Sequence, residues 1–216
     1  MIKKNLIKRL YTSIFLLLLI FLIFKFNFIM MYSLIVFGVL SLIEFYKIII
    51  KVFKNKTVIY LSNFIFTAYV FLFCYFFLLF SNFLNFKFIV ITLLLGCIAS
   101  DIGGYLFGNI FKGPKLTKIS PKKTISGLVG SFILSGIVVS SLFFYFNGNL
   151  NLRIIIIAFI TSASCQLGDL FFSFLKRKSN LKDTGNILPG HGGILDRLDG
   201  ILFGIPVGFL TLILLL

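Results

Sequence analysis

Hydrophobic residues arrive in long runs along this chain, and polar residues fill the short gaps between them. Apolar stretches of roughly 15–25 residues recur, the length that crosses a hydrocarbon core ~30 Å thick. Their spacing predicts seven spanning helices, at about 10–24, 26–44, 57–80, 86–107, 124–146, 152–175 and 198–216. The first is short, and only a tight turn at residues 25–27 separates it from the second. The first run follows Lys3, Lys4, Lys8 and Arg9 in the manner of a signal peptide. No small-residue cleavage site comes after it and another apolar run begins at once, so a retained helix is expected. No polar interval exceeds about 30 residues, too few for a separate soluble core. The expected fold is therefore an all-α polytopic membrane protein of about seven transmembrane helices. Residues 1–56 form an N-terminal hairpin with basic ends, 57–95 form apolar lipid-facing and packing helices, and 96–216 form the region that carries chemistry.

Composition sharpens this picture. The 216 residues are 59% hydrophobic with only 12% charged, mean hydropathy is +1.10, and there are 30 Phe and no Trp. Of the 21 basic residues, 18 lie at the N-terminus or in alternate gaps, and only Lys25, Lys87 and Arg153 fall on the other side. The positive-inside bias then places the N-terminus and both long polar loops in the cytoplasm and the C-terminus outside. A bacterial inner membrane, with the chemistry facing the cytoplasm, is the expected setting. The net charge of +15 suits anionic headgroups and phosphates. No nucleic-acid partner is expected, because no basic soluble module exists to bind one. Cys74, Cys97 and Cys165 lack paired or metal-ligand spacing and read as small buried hydrophobes.

Only six residues are acidic, and their positions narrow the chemistry. Glu44 ends the second apolar run with Lys47 three residues on, which reads as an interfacial ion pair. Asp101 lies within the fourth run, where a carboxylate costs ~2.5–3.5 kcal/mol to insert and should face a polar cavity or bond to a neighbouring helix. Tyr105 shares its face, and Gly104 and Gly108 permit close helix approach. Ser120 and Thr124 flank Pro121, Lys122 and Lys123 ahead of the fifth run. These are helix-start signals beside two cations, which make either an anion site or an ordinary cytoplasmic anchor. Ser162, Gln166, Asp169 and Ser173 fall on one face of the sixth helix, lining a helix contact or a wet cleft, with the cleft favoured by the charges at its end.

The densest polar stretch is residues 173–199, SFLKRKSNLKDTGNILPGHGGILDRLD. Lys176, Arg177, Lys178 and Lys182 attract anions, and glycines around His191 permit positive φ and backbone N–H contacts to phosphate. Asp196 and Asp199 are three apart, so they share a face at the start of the last helix, with Arg197 pointing elsewhere. Carboxylates beside Lys, Arg and Gly, with no Cys in this stretch and one His, favour a hard cation such as Mg²⁺ over zinc. Mg²⁺ commonly takes one or two carboxylates plus substrate phosphates, so the implied chemistry is attack at a nucleotide phosphate. The plain alternatives are a capping histidine and aspartates paired with Lys176, Arg177 and Arg197. Four of the five aspartates, 169, 183, 196 and 199, gather near the cytoplasmic ends of two consecutive helices, which weighs against them.

The pattern S-x-L-K-R-x-x-x-x-K-D-x-G-x-x-x-P-G-H-G-G-x-x-D-R-x-D over 173–199 resembles, without gaps, the signature of the phosphatidate cytidylyltransferases, or CDP-diacylglycerol synthases. D-x-G-x-Y-x-x-G at 101–108, S-P-K-K-T-x-x-G at 120–127 and Q-L-G-D at 166–169 extend the resemblance, with a weaker echo in EFYK at 44–47. The chain is shorter in its middle than the family pattern. The resemblance implies a transfer of CMP from CTP to phosphatidate, giving CDP-diacylglycerol and pyrophosphate, with Mg²⁺, alone or beside a second cation, as cofactor. It implies membrane lipids as surroundings and a homodimer. Carried onto this sequence, Asp169, Asp196 and Asp199 would bind the metal, with Lys182 and His191 also catalytic candidates. Lys176, Arg177, Lys182 and Arg197 would hold phosphates, Gly192 and Gly193 the phosphate turn. Ser120, Lys122, Lys123 and Thr124 would close the site, and Asp101 would orient substrate. A CTP-dependent polyprenol kinase shares the setting but needs a general base. A CDP-alcohol phosphotransferase would carry D-G-x-x-A-R, which Asp199-Gly200 does not continue, and a transporter would show inverted repeats and broken helices at the midplane, whereas here the polar residues gather at one face.

Overall fold

Inside a bilayer every backbone N–H and C=O must find a partner within the segment, so apolar runs of this length have little choice but to form helices. In the computed structural model the described residues are 2–80, 82–117, 119–149, 151–190 and 192–215, and among them there are seven helices and no strand. They are α1 Ile2–Lys25, α2 Asn27–Val52, α3 Lys56–Phe80, α4 Leu84–Phe111, α5 Ile125–Asn147, α6 Leu152–Lys178 and α7 Leu195–Leu215. Six, α2 to α7, are long and apolar enough to cross a membrane, while the apolar part of α1, Leu10–Lys25, is shorter. The protein is thus an all-helical polytopic membrane protein. Phe26, in extended conformation, is the break between α1 and α2.

α1 starts eight residues before its expected span, and α2 runs eight residues past Glu44, where its span was expected to end. Phe45, Ile48 and Ile49 are buried while Lys47 and Lys51 are exposed. The lysines therefore mark an outer face of a continuing helix, with long stems that reach away from the apolar side, and not its end. α5 also starts differently: Thr124, not Ser120, is its N-cap, its hydroxyl accepting from the Gly127 N–H at 3.1 Å. Residues 120–123 instead form a turn closed by the Lys123 N–H donating to the Ser120 carbonyl at 3.0 Å. Pro121 suits the second position of such a turn as well as it suits a helix start, which is why the two were not separable by type.

The chain forms two compact units, Met1–Lys87 with Leu175–Leu198, and Phe88–Phe174 with Asp199–Leu216. In the first, α1 packs on α2 and α2 on α3, with Phe45 stacked on Phe66 at 4.0 Å between ring centroids. Ile48 and Leu195 are fully buried there. In the second, small residues let helices touch. A methyl group on Gly127 would come within 2.6 Å of the Gly104 carbonyl oxygen, so α4 and α5 meet backbone to backbone as the glycine spacing anticipated. Leu93, Ile157, Cys165 and Leu202 fill its interior. Cys97 and Cys165 are buried free thiols, as expected, and Cys74 is half-buried.

Candidate functional site

In the first unit the polar loop after α6 is organised by two carboxylates. The first four N–H groups of a helix have no intrahelical partner, and negative charge beside them is favourable. At the start of α7 the Gly193 N–H donates to Asp196 Oδ2 at 2.9 Å, while the Ile194 and Leu195 N–H groups donate to Glu44 Oε1 and Oε2 at 3.1 and 2.8 Å. Asp196 Oδ2 also accepts from the Thr184 N–H at 2.8 Å, and Oδ1 lies 2.7 Å from Lys176 Nζ. The Asp196 and Lys176 side chains are only 7% and 11% exposed, so this is a largely desolvated ion pair with charge-assisted bonds to backbone.

The glycines of the loop divide by role. Gly190 and Gly192 have φ of 79° and 85°, the left-handed conformation the sequence reading expected. Gly193 does not. Its side-chain space is taken by Glu44 and Thr184, and its N–H is already engaged by Asp196, so that amide does not stand open to a phosphate. The Thr12 hydroxyl, on α1, donates to the Pro189 carbonyl at 3.0 Å. Lys178 sits 5.0 Å from the Phe53 ring centroid. Arg177, Lys182, Asp183 and Arg197 are exposed. His191 and Lys118 lie outside the described residues.

In the second unit Lys123 joins two residues of α6. Its ammonium lies 2.5 Å from Asp169 Oδ2 and donates to Gln166 Oε1 at 3.0 Å. Ser173 donates to Asp169 Oδ1 at 3.1 Å. Gln166 Nε2 in turn donates to Ser131 at 3.1 Å and Ser100 at 3.3 Å, and Ser100 bonds Ser162 at 2.8 Å. The Ser162–Gln166 half of the α6 stripe is therefore a dry contact among α4, α5 and α6, not a wet cleft. Lys123 reaches the stripe where its two halves meet, at Gln166 and Asp169. Asp199 is half-buried, and its Oδ1 accepts from the Gly200 N–H at 2.9 Å. Asp101 and Tyr105 are exposed, as is Lys122, and Ser120 and Thr124 are half-buried.

Asp169 and Asp196 are each paired with a lysine; the Lys176 pairing of Asp196 is the one the plain ion-pair alternative anticipates, while the Lys123 pairing of Asp169 was not foreseen. Capacity for a cation remains on both. A carboxylate offers about four lone-pair positions. Among the described residues, Asp196 Oδ2 has both filled, but its Oδ1 has one of two filled, and each oxygen of Asp169 has one filled. Among the described residues no three His, Cys, Asp or Glu side chains form a cage. Mg²⁺ needs none, since phosphates and water complete its shell. Carboxylate oxygen, which each unit carries, is the donor type that ion prefers.

Residues 1–215 match the profile of the cytidylyltransferase family. The chain belongs to that family. Among its relatives, a phosphatidate cytidylyltransferase of Staphylococcus haemolyticus is 46% identical over 110 residues, covering 50% of this chain and 42% of the relative. One of Rickettsia felis is 44% identical over 130 residues, covering 55% and 56%, and one of Rickettsia bellii 43% over 119 residues, covering 50% and 51%. The chain spans about half the length of the curated relatives it matches.

Glu44 and Gln166 are the functional-region residues that the sequence reading undervalued. Glu44 is 1% exposed and makes no ion pair with Lys47 among the described residues. All its partners lie 140 or more positions away. The one local signal was its place in EFYK, a minor part of the family resemblance.

Proposed function

We propose that this protein is a phosphatidate cytidylyltransferase, joining CTP to phosphatidate and releasing pyrophosphate. What carries the reading is a pinned, charge-paired Asp196 inside the signature loop of a chain whose family is the cytidylyltransferases. An oxygen of the lipid phosphate bonds to the α-phosphorus of CTP, and the bond from that phosphorus to the pyrophosphate oxygen breaks. The attacking oxygen is already anionic at neutral pH, so no general base is required. The demand on the protein is to bring two anions together and to neutralise the one that leaves.

The residues divide that work by charge. Lys176, Arg177, Lys182 and Arg197 are the cations for triphosphate and lipid phosphate, with Lys122 and Lys123 serving from the other loop. Thr124 and Ser120 hold that loop's shape, and the left-handed Gly192 lets the main chain turn tightly. His191 and Asp101 are assigned to orienting substrate. Asp196, Asp169 and Asp199 are the carboxylates assigned to Mg²⁺, which when bound would supply charge neutralisation at the phosphates. The same reading places the protein in the bacterial cytoplasmic membrane with its site on the cytoplasmic face, among membrane lipids and as a homodimer.

The test is an assay of purified protein in detergent with labelled CTP and phosphatidate, with and without Mg²⁺, beside Asp196→Asn. Wild type should form a labelled lipid only with the divalent ion, and the variant almost none. Equal product from both removes Asp196 from the mechanism. Product from phosphatidate undiminished by chelation removes the metal, and product from a polyprenol instead of phosphatidate removes the substrate assignment.

A further inference from the structure

We propose that Glu44 is a positioning residue for the reaction, an inference that rests on the function proposed above. Its carboxylate sets the backbone of the signature loop and, through it, the aim of Asp196. Glu44 is on α2, far in sequence from the loop, and is 1% exposed. Its Oε2 accepts from the Thr184 hydroxyl at 2.6 Å and the Leu195 N–H at 2.8 Å, and its Oε1 from the Ile194 N–H at 3.1 Å. A desolvated carboxylate is costly unless its oxygens are satisfied; among the described residues no cation stands against this one, and backbone and hydroxyl donors satisfy it at a helix start.

The loop is shaped around this group from both sides. A methyl group on Gly185 would stand 2.5 Å from Glu44 Oε1, and one on Gly193 would stand 2.6 Å from the same atom. Glycine at each position leaves room for a carboxylate and for little else.

Thr184 links the two acids. Its hydroxyl donates to Glu44 while its main-chain N–H donates to Asp196 Oδ2 at 2.8 Å. Glu44 also holds the two N–H groups that immediately precede Asp196, so it fixes the rotation of the first turn of α7. Displacing Glu44 therefore moves both the donors that aim Asp196 and the backbone that carries it. Glu44 is a positioning residue and not one that touches substrate or the reacting atoms. It acts through Thr184, Leu195 and Asp196, and it gives the N-terminal hairpin a part in the chemistry that apolar packing alone does not.

Glu44→Gln is the isosteric test. A glutamine has one acceptor oxygen, so whichever way it turns, its NH₂ faces a donor. Thr184→Val removes the hydroxyl alone, and Thr184→Ser retains it. With the full chain in detergent, hydrogen exchange over residues 184–195 should quicken roughly 10-fold or more in Glu44→Gln, and by less in Thr184→Val, with α3 to α5 unchanged. On the same preparations kcat per folded molecule should fall roughly 10–100-fold in Glu44→Gln, with KM for phosphatidate nearly unchanged, and Thr184→Ser should restore what Thr184→Val loses. If Glu44→Gln does not fold, the Thr184 pair carries the test. Unchanged exchange in 184–195 overturns the inference, as does faster exchange with undiminished kcat. A wild type inactive on CTP and phosphatidate, whose loop still loosens in the variants, overturns the proposed reaction and supports Glu44 as the residue that shapes the loop.

Discussion

The Lys176–Asp196 pair makes a quantitative prediction. Lys176→Met leaves Asp196, 7% exposed, with its two backbone N–H donors but, among the described residues, no counter-ion. Removing one partner of a buried pair costs roughly 3–5 kcal/mol, and retention of the two N–H bonds puts this variant at the lower end, about 3 kcal/mol. Asp196→Asn is milder. An amide oxygen keeps both N–H bonds, and the ammonium, on a flexible stem and 11% exposed, swings toward water, for about 2 kcal/mol. With both changes together no charge is stranded and only charge assistance to two hydrogen bonds is lost, again about 2 kcal/mol. The cycle therefore predicts a coupling of about 3 kcal/mol between the two sites. With no Trp in the chain, reversible unfolding in mixed micelles is best followed by helical circular dichroism, with labelling of the buried Cys97 and Cys165 thiols as a second probe. Additivity of the two single variants to within ~0.5 kcal/mol would refute the pair as a desolvated, mutually dependent unit.

Two glycines of α5 make a matched comparison. Gly127→Ala forces a methyl against the Gly104 carbonyl and should destabilise by about 1–3 kcal/mol, whereas Gly136→Ala meets nothing within 4 Å and should be neutral or stabilising by up to ~1 kcal/mol. Thermal midpoints of the two variants decide it, and equal midpoints would contradict the backbone contact of α4 and α5. At the N-cap, Thr124→Ala should lower stability by ~1 kcal/mol while Thr124→Ser keeps most of it, measured by the same unfolding assay.

Some features were legible in sequence because they are local. The seven helices fall where the apolar runs are, since run length and backbone satisfaction in lipid are properties of a segment by itself. The small-residue contact of Gly104 was readable from spacing, as was the left-handed turn at Gly190 and Gly192. Where local signals were ambiguous, they misled. Ser120-Pro121 fits a turn and a helix start equally well, and Lys47 looked like both a helix end and a partner for Glu44. The α6 stripe was visible as polar, but whether a polar face meets water or another helix depends on what stands opposite. Ser100 and Ser131 stand opposite half of it.

By itself the sequence determined the membrane-spanning helical class, the family, and the concentration of charge in one loop, because length, hydropathy and motif are written residue by residue. Tertiary structure alone decided that Glu44 is a buried acceptor holding residues 140 to 151 positions away, and that Gly193 is a glycine for lack of space and not for its backbone angle. A carboxylate's partners are set by which donors packing brings within about 3 Å, and no window along the chain contains that distance.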